Sequence, residues 1–244
     1  MLGKYTYHDF LAHFGVGAAH PGGLALTKEL LKGEQVTSTS KVIEVGCGTG
    51  KSAGYLASTY GCEVTAIEPH PVMLQKASQR FVKEKVQVHL LQGSSERIPV
   101  PSNSFDFLLA ESVTVFTNIL ASLKEYARVL RPGGIALDVD MTAGHSFTSG
   151  QLREFTKLYG IKRVPTEAEW KRMGLRAGFR KVEVLKSVWV NSALKKSGVS
   201  TEETPELDPS PSLHPDLYDI WGNHQSLTEK YAGKLKYAVY RFTK

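Results

Sequence analysis

Apolar positions along the 244 residues follow two periods. Nearly continuous apolar runs of strand length predict β-strands over 41–45, 64–68, 86–91, 105–110, 135–141, 181–190 and 236–242. Between them the spacing turns helical. It predicts a helix over 51–60, a second that opens at Pro71 and buries Met73, Leu74, Ala77 and Phe81, and a third over about 117–130 with Leu120, Leu123, Ala127 and Leu130 on one face. Pro132, Gly133 and Gly134 stop the third helix and turn the chain into the next strand. Further helical faces are expected at Leu26, Leu30 and Leu31, at Trp170, Met173 and Leu175, and at Leu217, Ile220, Trp221, His224, Leu227 and Tyr231. The stretch 191–216, with Pro205, Pro209, Pro211 and Pro215, cannot bury enough apolar surface for a core and reads as a loop.

The first of these strands runs straight into Gly46, Gly48 and Gly50. Alternating glycines after a buried strand let backbone amides approach a nucleotide-like ligand, with a helix N-terminus aimed at the same crevice. Spacing separates the ligand classes that use such a turn. The dinucleotide fingerprint requires glycine at 51, which is lysine, and a phosphate-binding Walker loop requires its first glycine at 45, which is valine. What remains is an acid, Glu44, two residues before G-x-G-x-G. The next strand ends in Glu68, 18 residues after Gly50, where two carboxylate oxygens can accept both hydroxyls of a ribose. A polar segment from Gln92 to Asp106 follows the third strand, and Leu130-Arg-Pro-Gly-Gly134 precedes the fifth.

Together these segments, within about residues 36–190, resemble the class I S-adenosylmethionine-dependent methyltransferases, and the polar segment is similar to that of the ubiquinone and menaquinone biosynthesis type. The resemblance implies an α/β, Rossmann-like sheet of seven mostly parallel strands with helices on both faces, the last strand antiparallel between strands five and six. It implies S-adenosylmethionine as cofactor, held by Glu44, Gly46, Cys47, Gly48, Gly50, Glu68, Pro69 and Glu111. Ser94 stands where the family usually has an aspartate against adenine, so that contact passes to a neutral hydroxyl, Ser94 or Ser95. Four segments are expected: an arm and helix over 1–35, the donor-binding core over 36–190, a loop and helix over 191–232 that could serve as a lid, and the last strand over 233–244.

Composition narrows the function. With 41% hydrophobic and 22% charged residues the chain can bury a full core. It carries no apolar run of membrane-spanning length and no signal-peptide pattern, so a cytoplasmic location is expected. Two cysteines give no disulfide framework. The net charge of +6 invites a nucleic-acid partner, yet the basic residues are dispersed and no basic run with interleaved aromatics occurs. No Asn-Pro-Pro-Tyr or Asp-Pro-Pro-Tyr string follows the fourth strand, which argues against methylation of nucleobase amines. Asp138 and Asp140 share one face of the fifth strand, but nothing supplies the further ligands a metal needs, and no metal is assigned.

The expected reaction is methyl transfer to carbon or oxygen of a small molecule, with a nucleic-acid or protein acceptor, or donor binding without catalysis, as alternatives. His20, in the glycine-rich stretch 15–23, Glu111, just past the fourth strand, and His224 are the candidate acid-base groups. Tyr218 and Trp221 are the candidate acceptor contacts.

Overall fold

The computed structural model describes residues 4–192 and 206–244. The chain opens with α1 (Tyr7–Phe14), β1 (Val16–Gly17) and α2 (Gly23–Lys32), followed by β2 (Lys41–Val45), α3 (Lys51–Tyr60), β3 (Glu63–Glu68), α4 (Pro71–Glu84) and β4 (His89–Gln92). It continues through β5 (Phe105–Glu111), a 3-10 turn (Thr114–Phe116), α5 (Ile119–Val129), β6 (Leu130–Ala143), α6 (Ser149–Tyr159), α7 (Glu167–Ala177) and β7 (Lys181–Trp189). After the undescribed stretch come β8 (Glu206–Leu207), α8 (Pro215–Tyr231) and β9 (Leu235–Thr243). Of the loop expected over 191–216, residues 193–205 lie outside the described residues.

Seven strands form one sheet in the order β4-β3-β2-β5-β6-β9-β7. The first five are mutually parallel, and β9 runs antiparallel between β6 and β7, as expected. Strand order reverses between β2 and β5, so the carboxyl ends of these two strands flank the crevice where open α/β sheets bind ligands. The central strands β2 and β5 are buried on both faces and their residues divide by parity. Ile43, Val45, Leu108 and Ala110 join the core under α5 and α7, while Val42, Phe107 and Leu109 join the core under α3 and α4.

A third apolar cluster lies over the strand ends. Tyr7, Phe10 and Phe14 of α1, Phe155 and Tyr159 of α6, and Leu217, Leu227 and Tyr231 of α8 pack together, so three helices far apart in sequence form one cap. The two-stranded pairing of β1 with β8 joins the arm to the insertion a second time. Glu206 of β8 meets Lys51 and Arg80, and Lys76 donates to the Asp208 carbonyl.

Several boundaries differ from the periodicity. The turn at Pro132 lies inside β6, which begins at Leu130 because Gly133 takes a left-handed φ of 83° and its N–H reaches the Lys244 carbonyl. The third strand is shorter than its apolar run and begins at His89. In α7, Trp170 is fully buried, but Leu175, expected in the core, is 53% exposed. Gly174 takes the inward position there, pressed against Phe242 and Val182.

Asp138 and Asp140 are buried hydrogen-bond acceptors for the 114–116 turn. Asp138 Oδ2 accepts from Thr114 Oγ1 at 2.6 Å, and Asp140 Oδ2 from the Val115 N–H at 2.8 Å. Burial, then the charge of Asp140, holds the Asp138 carboxyl well above the usual range, and burial lifts Asp140 to about 7 against the pull of its backbone donors. The folded chain therefore keeps a proton on this pair that the unfolded chain, with aspartates near 4, releases. That stabilisation is complete below about pH 4 and is lost as pH rises toward about 7. Asp138→Asn, which keeps an acceptor for Thr114 and removes one titration, should flatten the fall in urea midpoint between about pH 5 and about pH 8. An unchanged slope would mean that the pair does not govern it.

Candidate functional site

One cavity of about 260 Å³ opens at the carboxyl ends of β2, β3 and β5. Its floor is the turn after β2. Gly46 and Cys47 both donate their N–H groups to the Ile67 carbonyl, at 2.7 and 3.0 Å, which folds the turn back over β3. Gly46 sits at φ 70°, and a Cβ there would clash with Val113 Cγ2, so only glycine fits. Gly50 has a different duty. It is the N-cap of α3, and a Cβ there would lie 2.7 Å from the Phe81 ring, so Gly50 lets α3 pack on α4 and stands outside the cavity wall.

Carboxylates gather on one side of this cavity. Glu68 Oε2 accepts from the Gly48 N–H and Oε1 from the His70 N–H, both at 2.9 Å. Burial pushes its carboxyl up, and these two donors oppose the shift. Glu44 is almost fully buried and held well above the carboxylate range, by burial first and by the charge of Glu111 second. Its Oε2 atom and Thr49 Oγ1 are buried without a hydrogen-bond partner among the described residues, and both residues line the cavity. Glu111 closes the group. Its Oε1 accepts from Thr27 Oγ1 at 2.7 Å and lies 3.3 Å from His20 Nε2, and its Oε2 accepts from Ser52 Oγ at 2.7 Å. Cys47 keeps its proton, because burial and the charges of Glu44 and Glu68 push the thiol up.

Pro69, Ser94 and Ser95 complete this half. Ser94 Oγ accepts from the Glu96 N–H at 3.2 Å, and Ser95 shares its hydroxyl hydrogen bond with Ser122 at 2.8 Å. Thus Glu44, Gly46, Cys47, Gly48, Glu68, Pro69, Ser94, Ser95, Glu111 and His20 all meet in one cavity wall.

The other three predicted residues do not reach it. Helix α1 lies between α8 and the cavity. Trp221 stacks on Phe10 and meets Phe14, Tyr218 meets Phe14, and His224 Nδ1 is hydrogen-bonded to the Tyr159 hydroxyl at 2.8 Å beside Tyr7. Tyr218 and Trp221 turn toward solvent at 52% and 37% exposure. Helical spacing identified a common face on α8 but not the helix that would cover it.

The positions near the cavity that α8 was expected to supply are taken by the arm and by the turn after β5. His8 and Leu11 of α1, then Val16, Ala18 and Ala19, roof the cavity, and Ser112, Val113, Phe116 and Thr117 form its far wall. Ser112, at φ 56°, redirects the chain after Glu111 and donates its N–H to the Val139 carbonyl. The arm is bolted down by His70. Its Nδ1 accepts from the Val72 N–H at 3.2 Å, which leaves Nε2–H to donate to Asp9 Oδ1 at 3.1 Å, while Asp9 closes a capping box with Thr6. A sequence signal for this existed in Thr6-Tyr-His-Asp9, a helix start of capping-box form, although nothing local pairs it with His70.

Comparison with known proteins gives a consistent family. Residues 43–137 match the model of a methyltransferase domain. The chain is 31% identical over 234 residues, 96% of its length and 97% of the relative's, to the Uncharacterized methyltransferase YodH of Bacillus subtilis. It is 29% identical over 164 residues to the O-methyltransferase rstn1 of Aspergillus nomiae, covering 65% of this chain and 72% of that one. In fold it is similar to the Haemonchus contortus phosphoethanolamine N-methyltransferase 2 in complex with S-adenosyl-L-methionine, with a TM-score of 0.75 and 20% identity, over 99% of this chain and 60% of that one.

Gly46→Ala should cost about 1–3 kcal/mol in chemical denaturation, part from the left-handed backbone and part from the Val113 methyl groups. Adding Val113→Ala should recover the second part alone. Strict additivity of the two substitutions would show that the side chains do not press on each other.

Proposed function

The chain belongs to the class I S-adenosylmethionine-dependent methyltransferases, and from that premise we propose that it transfers a methyl group to oxygen or carbon of a small molecule. The observation that carries this reading is the roof. The cavity beside the carboxylates is covered by the arm, which is held down by the Asp9–His70 contact and by the β1–β8 pairing. A site beneath such a roof suits a small acceptor better than a polymer. Several basic residues are also neutralised locally, since Arg128, Arg131, Arg163 and Arg241 each pair with a neighbouring acid. The name of the Aspergillus relative favours oxygen.

The wall fits the donor chemically. S-adenosylmethionine carries a sulfonium and an ammonium, and Glu44, Glu68 and Glu111 set their carboxyl oxygens along one side of the cavity, where a bound cation would draw Glu44 to its ionised form. The unpartnered Glu44 Oε2 suits the ammonium end. Glu68 retains lone pairs on both oxygens after its two backbone contacts, enough for a ribose diol. Ser94 and Ser95 take the adenine, with Gly46, Cys47, Gly48 and Pro69 close enough for backbone contact. The donor supplies the reactive methyl group and the leaving thioether. The protein's part is to align the acceptor, exclude water and receive a proton where the acceptor has one.

In this reading Glu111 and His20 are positioning groups. Both His20 ring nitrogens already have protein neighbours, Pro21 O at 3.3 Å on one side and Thr27 and Glu111 on the other, so the pair ties the arm to β5. The described parts of the arm 1–35 and of the insertion 191–232 act as one cover over the core of 36–190 and 233–244, and α8 contributes to it from behind α1. Among the described residues no helix is long and apolar enough to cross a membrane, and no cluster of three or more His, Cys, Asp or Glu could hold a metal ion.

Glu68→Gln, which leaves one acceptor oxygen and no charge, should weaken S-adenosylhomocysteine binding by about 1–3 kcal/mol in calorimetry. Equal affinity would remove the ribose role. Labelled methyl from S-adenosylmethionine, added to host-cell extract, should enter the organic-soluble or small polar fraction. Label confined to nucleic acid or protein would replace the small-acceptor reading, and no label in any fraction would favour a donor-binding protein without catalysis.

A further inference from the structure

We propose that His8 is the catalytic proton acceptor of this methyltransferase and that the acceptor is a neutral hydroxyl compound of phenol or enol type. The proposal rests on the small-acceptor reading above and adds the residue and the chemical class.

His8 is the histidine of the cavity wall whose ring is unclaimed. Among the described residues neither of its ring nitrogens has a hydrogen-bond partner, and its closest recorded ring neighbour is Phe116, edge-on at 5.0 Å. His20, the other histidine of that wall, has neighbours on both nitrogens. His224 is held by Tyr159 behind α1. A proton acceptor needs one ring nitrogen free to face its substrate, and His8 meets that condition in the wall of a roofed cavity.

The surroundings keep that ring neutral and fixed. His8 is the second residue of α1, where the positive end of the helix dipole opposes protonation. Burial, and next the neighbouring His70, lower its affinity for a proton, against a smaller opposing pull from Asp9. Tyr7, its other ionisable neighbour, is itself buried and kept protonated. The capping box of Thr6 and Asp9 and the Asp9–His70 contact hold the first turn of α1 in place, so the ring cannot swing away with a loose arm.

The wall around His8 selects the acceptor. Leu11, Val113 and Phe116 present an apolar surface. The only lysine or arginine among the described lining residues, Lys51, is paired with Glu206. Among the described residues a phosphorylated or carboxylated acceptor would find no free lysine or arginine in the wall, and a flat neutral ring finds apolar contact and one base. The hydroxyl oxygen uses a lone pair to bond the methyl carbon, the carbon–sulfur bond breaks with its pair going to sulfur, and the O–H proton passes to His8. A sulfonium and a hydroxyl thus become a thioether, a methyl ether and one imidazolium proton, which water removes after release.

The test compares the full chain with His8→Ala and His8→Gln in the extract-labelling assay, with S-adenosylhomocysteine calorimetry on the same samples. Label in the organic-soluble fraction should fall about 100-fold in both variants, while S-adenosylhomocysteine affinity stays within about twofold. Added imidazole should restore at least about tenfold of the lost rate to His8→Ala and little to His8→Gln, whose side chain fills the space, a pattern that a purely structural role would not give. In nitrogen-labelled histidine spectra of the S-adenosylhomocysteine-saturated protein at neutral pH, the ring signal missing from His8→Ala should be that of a neutral imidazole. Wild-type labelling that survives in both variants, or a protonated His8 ring, would overturn the proposal alone. Wild-type label absent from every small-molecule fraction would overturn the small-acceptor reading and the proposal with it.

Discussion

The carboxylate of Glu68 is the contact on which the site depends. One oxygen holds the Gly48 amide and the other holds the His70 amide, so a single buried side chain at the end of β3 joins the glycine turn after β2 to the N-terminus of α4. Charge-assisted bonds of this kind are short and strong where water is excluded. From His70 the connection continues through the ring to Asp9, and hence to α1 and the roof. Floor and roof of the cavity are therefore referenced to the same atom pair.

The sheet explains why this happens at that place. Reversal of strand order between β2 and β5 leaves a gap above their carboxyl ends that no crossover helix fills. The two faces of the sheet are already consumed by α3 and α4 on one side and α5 and α7 on the other. A cover must then come from segments outside the alternating core. Helices α1, α6 and α8 supply it through a shared aromatic cluster, and the β1–β8 pairing with the Glu206 contacts to Lys51 and Arg80 fastens its rim.

Beneath the far wall lies a costlier arrangement. Two aspartates on adjacent inward positions of β6 are buried together to hold the Thr114–Phe116 turn, which carries Phe116 into the cavity. Burying like charges is unfavourable, and protonation relieves it. The turn's own backbone bonds are few, Phe116 N–H to the Val113 carbonyl and Thr117 N–H to the Thr114 carbonyl, and the side-chain acceptors add to them.

Much of this was legible in the sequence because its signals are local. The strand entering Gly46, Gly48 and Gly50, the acid ending β3 and the polar segment carrying Ser94 and Ser95 are contiguous patterns, and each lines the cavity apart from Gly50, which the packing of Phe81 redirected to a structural role. The antiparallel place of β9 was expected from resemblance to the family. The residues that close the site were not legible. Helical periodicity determined that α8 has an apolar face with Trp221 and His224, but it carries no information about which helix covers which. Only tertiary packing decided that α1 would stand between α8 and the cavity, leaving His8 free-ringed in the wall and Trp221 at the surface. The physical reason is that a residue's period reports its own face, whereas a site wall is made by contacts between segments distant in sequence, such as His20 of the arm against Glu111 at the end of β5.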